Sequence, residues 1–474
     1  MPPPCTPCYP SSMRKQLSLL AFCAAIALPL FAQNTDIESL SGLQFNFGNP
    51  GARSLGMGGA FIGLADDASA AEANPAGLTI LRKTEFSIEA RNYLEQQLLS
   101  TSGTFPDVQR TAFTHYSQRA QLAFASVVVP MKHNFTLGAY FHEPLRNAGA
   151  GEVLPVRDEF TGQLKSNVPN FFLPAAGGNP ITSAECDRLR QTTNNPFSCL
   201  EYRVNPFITA LDVKQQTYGV AGAWQIGKFS IGATARYQKF DEGAFTFRFT
   251  QDFDVDSVSV QATAKANGAN VEIKSQTDVT FAGGIKWAPN EKFSLGAVYK
   301  QGPQFKTPTF IANGQTGFDF VKLADTTFHI PDIAGIGISV RPIPVLTINA
   351  DAVHVTYSNL TDDFVSTTLG IRDANGYKAP DVTEFHLGGE YFFPTKIPIA
   401  LRAGAWRDPA HSIEWKGGLD QFEGVAAALL YPKGESQTHL SVGAGIAWPR
   451  FQIDAAYDSS KHYKVGSISV VTRF

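Results

Sequence analysis

The chain has 474 residues, a formal net charge of −3 and an isoelectric point near 6.3, a balance that offers no basic surface to nucleic acid. Its 36 Phe, 14 Tyr and 41 Gly accompany a mean hydropathy of only −0.09, too polar for a bundle of spanning helices. After residue 32 no stretch approaches the roughly 18–20 consecutive apolar residues that such a helix needs.

The N-terminus reads as a targeting segment. Met13-Arg14-Lys15 is a basic start, a largely apolar run follows from Leu17 to Phe31, and small Ala32 precedes polar Gln33. This is the pattern of a secretory leader cleaved after Ala32. Residues 1–12, with Cys5, Cys8 and several prolines, read as an overextended start, Met13 being the more natural initiator. A lipid anchor at Cys23 is disfavoured because bulky Phe22 stands where a small residue is expected.

Residues 33–84 are dominated by Gly, Ala and small polar residues. They include Gly51-Ala-Arg-Ser-Leu-Gly-Met-Gly-Gly-Ala-Phe-Ile-Gly-Leu-Ala-Asp-Asp67 and Asn74-Pro-Ala-Gly-Leu78. Glycines permit close backbone packing, which suits a compact plug. A phosphate-cradling reading of Gly56-Met-Gly-Gly59 lacks the sixth-position glycine and a surrounding parallel-sheet pattern, so no cofactor is expected.

From about residue 85 onward the pattern is period-2 alternation. Tyr218, Val220, Trp224 and Ile226 share one face; after a turn at Gly227-Lys228, Phe229, Ile231, Ala233, Ala235 and Tyr237 resume it, with Ser230, Thr234, Arg236 and Gln238 opposite. Similar short turns occur at Pro130 to Asn134, Pro289 to Lys292, Arg341 to Val345, Pro394 to Pro398 and Pro449-Arg450. With a first strand near Glu85 to Tyr93 and a last near Lys464 to Phe474, about fourteen strands are expected. Almost no helical period is available to cover such a sheet, so an all-β fold is expected: an antiparallel transmembrane barrel over 85–474, lipid outside and a polar lumen within.

The other connections are long, at 94–119, 144–214, 241–270, 303–331, 358–382 and 407–437, which places them outside the cell and both chain ends in the periplasm. Phe135, Trp224, Phe229, Trp287, Phe293, Trp448 and Phe451, beside the tight turns, suit a periplasmic aromatic girdle. Cys186 and Cys199 lie thirteen apart in a loop-like stretch, and a disulfide is their natural pairing in an oxidising compartment. A metal site is disfavoured because no His lies near these two cysteines.

The Gly-rich stretch with Asp66-Asp67 and Asn74-Pro75-Ala76, the roughly fourteen strands and the terminal Phe474 together resemble the FadL/TodX outer-membrane transport proteins. The resemblance spans the mature chain and is most specific over residues 51–78. It implies a fourteen-stranded barrel in a Gram-negative-type outer membrane, among lipid and lipopolysaccharide. It also implies an N-terminal hatch over 33–84 carrying the motif Asn74, Pro75 and Ala76, and uptake of hydrophobic molecules such as long-chain fatty acids or aromatic hydrocarbons. The route it implies is extracellular capture, a pocket within the barrel, and sideways release beside the hatch through an interruption in the third strand. Here that strand, about Asn134 to Glu143, has Gly138 and ends at Pro144. A last strand ending at Phe474 implies the barrel assembly machinery as a partner.

Candidate capture residues are Phe171, Phe172, Leu173 and Phe197 in the long loop around the expected disulfide, with Phe207 following; the alternative is that they pack the loop's own small core. A fatty-acid carboxylate needs a cation in the pocket, and lumen-facing parity selects Arg236, Lys286, Lys300 and Arg402. The competing reading places these four in a lumenal ladder with acids such as Glu390, Asp351 and Asp454.

Other function classes remain. The PorV-like branch of the same family, which escorts secreted proteins, resembles the hatch motif too. An outer-membrane enzyme needs a Ser activated by a His, yet Ser230 and Ser441 sit on strands, no Gly-x-Ser-x-Gly is present, and His386 and His439 have no evident Ser partner. An open porin is at odds with a plugging segment.

Overall fold

A computed structural model describes residues 45, 47–100, 112–153, 155–157, 164–166, 171–176, 180–202, 207–252, 257–265, 275–313, 320–361, 376–418, 427–428, 431 and 434–474. The expected leader and the first part of the small-residue segment, residues 1–44, lie outside these, as does 46.

Fourteen antiparallel strands close into a barrel. They are β1 (Glu85–Ser100), β2 (Ala112–Pro130), β3 (Phe135–Val153), β4 (Phe207–Ile226), β5 (Phe229–Asp252), β6 (Ser257–Lys265 and Gln276–Asn290), β7 (Phe293–Lys300 and Gln304–Asn313), β8 (Val321–His329 and Ile333–Ile343), β9 (Leu346–Val355), β10 (Val382–Phe393), β11 (Ile399–Asp408), β12 (Gln437–Ala447), β13 (Phe451–Ser459) and β14 (Tyr463–Arg473). Each strand pairs with the next, and β14 returns to β1, Val470 opposite Ile88 and Val465 opposite Tyr93. Closure leaves no sheet edge for the hydrocarbon to meet, the condition for a sheet to cross a bilayer.

The alternation expected of the sequence is the alternation observed. Tyr218, Val220, Trp224, Phe229, Ile231 and Tyr237 point outward and are exposed, whereas Ser230, Thr234, Arg236 and Gln238 point inward and are buried. Outward side chains from the other strands, among them Ile285, Ile336, Leu387, Leu401, Val442 and Ile468, continue this apolar surface. Such a belt suits lipid rather than water. At the end of the barrel holding Thr84 and Phe474 the strands are joined by short turns, as at Gly227, whose positive φ of 61° fits glycine. There Phe229 stacks on Trp287 at 6.1 Å and Trp448 on Phe451 at 4.4 Å, a girdle at the turn side.

Several boundaries differ from the sequence expectation. β1 continues beyond Tyr93 to Ser100 and β2 begins at Ala112, so the first long connection shrinks to 101–111. β3 runs past Glu143 and Pro144 to Val153, and Phe207 opens β4 instead of lying in the loop. β7 and β8 bend side by side at Pro303 and Pro331, where no N–H is available for the ladder. Gly302 N donates to Asp332 Oδ1 at 2.6 Å and Ile330 N to the Pro303 carbonyl at 3.0 Å, tying the two bends together.

The N-terminal segment lies within the barrel. Two short helices, α1 (Ala52–Gly56) and α2 (Ala70–Ala73), and a 3-10 turn (Pro75–Ile80) are almost wholly buried. The wall they meet is glycine: a Cβ on Gly404 would lie 2.3 Å from Gly58 N, on Gly296 2.3 Å from the Ile62 carbonyl oxygen, and on Gly232 2.4 Å from the Pro75 carbonyl carbon. Only a bare backbone admits a second chain this closely.

The β3–β4 connection, expected to be loop, carries the helix α3 (Ser183–Thr193). It is closed by a capping box between Thr182 and Glu185. The disulfide between Cys186 and Cys199 ties it to the short strand Cys199–Tyr202, which pairs with Phe171–Pro174.

Candidate functional site

The motif Asn74-Pro75-Ala76 starts the 3-10 turn. Asn74 Oδ1 accepts from Ala76 N at 3.2 Å, and its Nδ2 donates to the Ile62 carbonyl at 3.1 Å and to that of Ile285, on β6, at 3.3 Å. Pro75 occupies the first helical position, where no N–H is required. One side chain thus fixes the 3-10 turn, the neighbouring turn at Ile62 and the wall.

Charged contacts complete the attachment. Arg53 binds Asp66 at 2.5 Å and Glu390 of β10 at 2.9 Å, and Asp66 also binds Arg341 of β8 at 3.1 Å. Glu390 is shared with Arg402, 2.7 Å away, whose other arm meets Asp454 at 2.8 Å. Asp351 accepts the backbone N–H groups of Phe61 and Ile62 at 2.6 and 2.8 Å. Lys286 caps the carbonyls of Leu64 and Ala65. Two of the four expected cations, Arg402 and Lys286, are therefore engaged with acids or with the segment itself.

The other two converge. Lys300 Nζ and Arg236 Nη2 lie 3.2 and 3.5 Å from the same oxygen of Glu72, on α2, with His142 Nδ1 at 3.9 Å; Tyr140 donates to the second oxygen. Burial pushes the Glu72 carboxyl up, but Arg236, Lys300 and His142 outweigh it and hold the group at about 2, so it is ionised. Arg236 Nη1 donates to the Gln301 carbonyl at 3.2 Å, while its buried Nε has no hydrogen-bond partner. A cavity of about 30 Å³ opens beside this cluster, between Glu72, Arg236, Lys300, Phe47 and Ile330. Glu72 was missing from the sequence-derived candidates, although it is the single charged residue between Asp67 and Arg82.

Toward the long loops the lumen turns apolar. Phe240 stacks on Phe305 at 4.7 Å and on Phe328 at 5.1 Å, and Leu211, Val213, Val355 and Tyr357 join them. Phe45 and Phe47 of the N-terminal segment insert into this cluster, Phe45 reaching Phe328 at 6.1 Å. Parity gives Phe240 away, since it continues the inward register of Arg236 and Gln238.

Over part of its height the wall beside these groups carries no β2–β3 ladder among the described residues. β2 and β3 pair from Pro130 with Thr136 as far as Phe124 with His142; beyond, β2 continues on β1 and β3 on β4. The β3–β4 register shifts between His142 and Leu145, at Glu143 and Pro144, whereas Gly138 sits opposite Val128 in regular ladder. Pro144 is thus the interruption and Gly138 is not. Gln121 Nε2 spans the seam to the Glu143 carbonyl at 3.0 Å. A second cavity of about 30 Å³ abuts it, lined by Phe45, Gln121, Pro144, Leu145 and His439. Each cavity has room for about one or two waters.

Of the loop candidates, Phe197 is exposed, Phe172 half-buried, and Leu173 and Phe207 buried, while the side chain of Phe171 lies outside the described residues. His439 Nδ1 and Ser441 Oγ bind the two oxygens of one carboxylate, Asp458, at 2.6 and 2.5 Å, so Ser441 is directed to the acid and not to the imidazole. Ser230 bonds Thr79 Oγ1 at 2.7 Å, and His386 engages the Gly58 carbonyl and Glu384. Among the described residues no group of three or more His, Cys, Asp or Glu is arranged to hold a metal.

Protein-family models give no match to the chain, and neither do curated proteins. Solved structures do. A FadL homologue from Pseudomonas aeruginosa superposes with a TM-score of 0.57 at 15% identity, covering 91% of this chain and all of that one. The CymD monoaromatic hydrocarbon channel gives 0.52 at 15% identity over 91% and 99% of the two chains. The toluene transporter TbuX of Ralstonia pickettii gives 0.51 at 15% identity over 90% and 99%. Over about nine-tenths of its length the chain has the fold of the FadL/TodX-type barrels.

Proposed function

We propose that the protein is an outer-membrane passive transporter of the FadL/TodX type for hydrophobic compounds, long-chain fatty acids foremost. The observation that carries this reading is the adjacency of a lumenal apolar cluster, which includes Phe240, Phe305, Phe328 and Leu145, to the place where the β2–β3 ladder stops at Phe124 and His142. A greasy solute gains by leaving water for the aromatic cluster, at about 25 cal/mol per Å² of apolar surface. It gains again by passing from the lumen into acyl chains. Leaving through the seam, the solute would pass straight to acyl chains, so the second step needs no aqueous passage and no energy source.

Residues 33–84 act as the hatch. With about 30 Å³ free in each cavity, a ligand is admitted only as Phe45 and Phe47 yield their places in the cluster. The exposed Phe197, on the disulfide-tied loop, together with Phe171 and Phe172, forms the first apolar contact outside the barrel. Arg236 and Lys300 take the carboxylate, and Lys286 and Arg402 serve the hatch.

Purified protein in detergent is expected to bind a long-chain fatty acid or a hydrophobic fluorophore. Deletion of residues 33–84 is expected to let small sugars cross reconstituted liposomes. Absence of both would sink the reading, and recovery of secreted proteins on the immobilised barrel would favour the PorV-like shuttle instead.

A further inference from the structure

His439, on β12, has one ring nitrogen engaged and one bare. Its Nδ1 lies 2.6 Å from Asp458 Oδ1, and the other oxygen of that carboxylate accepts from Ser441 Oγ at 2.5 Å and from Trp406 Nε1 at 3.1 Å. A carboxylate met only by donors acts as acceptor throughout, so Nδ1 carries the proton and the neutral ring keeps its lone pair on Nε2. The ring stacks on Trp406 at 3.9 Å, which holds its plane. Among the described residues the buried Nε2 has no hydrogen-bond partner.

Gln121 supplies a second acceptor of the same kind. Its Nε2 donates to the Glu143 carbonyl, which sets the sense of the amide, and its buried Oε1 is likewise without a partner among the described residues. His439 is 1% exposed and Gln121 9%, and both line the cavity at the seam. Buried acceptors are as a rule satisfied, and two bare ones at one cavity call for a donor. Phe45 and Leu145, which belong to the apolar cluster of the lumen, line the same cavity. The space therefore offers acceptors to one end of a molecule and apolar surface to the other.

We infer, resting on the uptake reading above, that the seam cavity recognises a hydroxyl group: His439 Nε2 and Gln121 Oε1 accept from the O–H of a hydrophobic alcohol or phenol whose apolar part rests on Phe45 and Leu145. The cavity has room for one or two waters, and a solute that displaces one must reproduce its bond. A hydroxyl does so. An ether or a plain hydrocarbon brings no proton and strands both acceptors, so the two residues set specificity and add nothing to the apolar affinity that every greasy solute shares. A His439 serving only to hold Asp458 between β12 and β13 would be indifferent to that proton.

The test compares 4-octylphenol with 4-octylanisole, which share ring, tail and oxygen and differ in the donor. Each displaces a bound hydrophobic fluorophore from the full-length protein in detergent at pH 8, where a phenol keeps its proton. The wild type is expected to bind the phenol about tenfold tighter than the ether. His439→Phe, which keeps a ring on Trp406 and removes the acceptor, is expected to loosen the phenol to the level of the ether and to leave the ether unchanged. Gln121→Leu is expected to narrow the preference to about threefold, so the inference stays testable if His439→Phe does not fold. In protein labelled with 15N-histidine, the phenol but not the ether is expected to shift one imidazole Nε2 resonance, and His439→Phe is expected to lack that resonance. No preference in the wild type, or a preference undiminished in both variants, overturns the inference and spares the uptake reading so long as oleate displaces the fluorophore. Failure of all three ligands to displace it overturns both.

Discussion

The Asn74 carboxamide fills the space in which a side chain at Gly284 would begin: a Cβ there would lie 2.1 Å from Asn74 Oδ1 and 3.1 Å from Pro75 Cδ. The motif and the bare wall of β6 are therefore two halves of one fit. Gly284→Val should preserve the barrel, since Gly284 is paired regularly with Gly232 and Val298, but expel the segment. The expected outcome is a folded, heat-modifiable protein that leaks small solutes in a liposome-swelling assay. A tight Gly284→Val barrel would show that the wall tolerates displacement of the turn.

Glu72 carries a pH signature. Its carboxyl is held at about 2 against an ordinary 4.5, so the contribution to stability is fully present above 4.5 and is lost as pH falls towards 2. The difference in thermal midpoint between wild type and Glu72→Gln should be flat from pH 8 to pH 5 and should shrink only below that. Removing one partner of a buried ionic cluster costs about 3–5 kcal/mol, which sets the scale of the plateau. A difference already gone at pH 6 would mean that the carboxylate is not paired as described.

At the seam, Gln121→Ala removes the bond to the Glu143 carbonyl, a tie worth about 1 kcal/mol. Release of a bound fluorescent fatty acid into surrounding vesicles should accelerate several-fold while equilibrium affinity changes little. Unchanged release kinetics would place the exit elsewhere.

Closing the loop between Cys186 and Cys199 stabilises it by about 3 kcal/mol on the chain-entropy model. Reduction, or Cys199→Ser, should expose residues 183–199 to limited proteolysis and leave the strands protected. Simultaneous loss of the barrel bands would show that the loop is not an independent unit.

Leu387 lies midway along β10 and faces outward. Leu387→Arg should cost about 2–4 kcal/mol of folding stability in a lipid bilayer, measured by reversible denaturation. A cost near zero would argue against acyl chains at that height.

Much of this architecture was legible in the sequence. Parity put Arg236, Lys286, Lys300 and Arg402 inside, the turn residues set six hairpins, and Asn74-Pro75-Ala76 marked the segment that enters the barrel. What parity gives is the face, not the partner. Whether Arg402 meets Glu390 or a ligand depends on register across strands, which no local pattern encodes. Glu72 was overlooked because a lone acid in an alanine-rich stretch has no periodicity to flag it. Phe305 and Phe328 fall within 303–331, expected to be a loop but in fact strand over Gln304–Asn313 and Val321–His329, and Phe240 stands just before 241–270, likewise expected to be a loop, so their inward register had little or no strand to be read on. The helix Ser183–Thr193 was readable from Thr182 and Glu185, three apart. The seam was only half readable: Pro144 announces a bulge, but its effect is set by what β2 does twenty residues earlier.

The glycines at 232, 284, 296, 337, 388 and 404 come from six different strands and line the channel where the N-terminal segment rests. Were that segment to withdraw entirely, the surface uncovered would be peptide groups and ionised side chains, a lining that water wets and oil avoids. At the height of these glycines an empty bore would thus conduct ions and sugars yet hold no attraction for a fatty chain, whose apolar partners lie nearer the long loops, among Phe240, Phe305 and Phe328. For such cargo the profitable direction of travel is across the cylinder's wall and never down its axis.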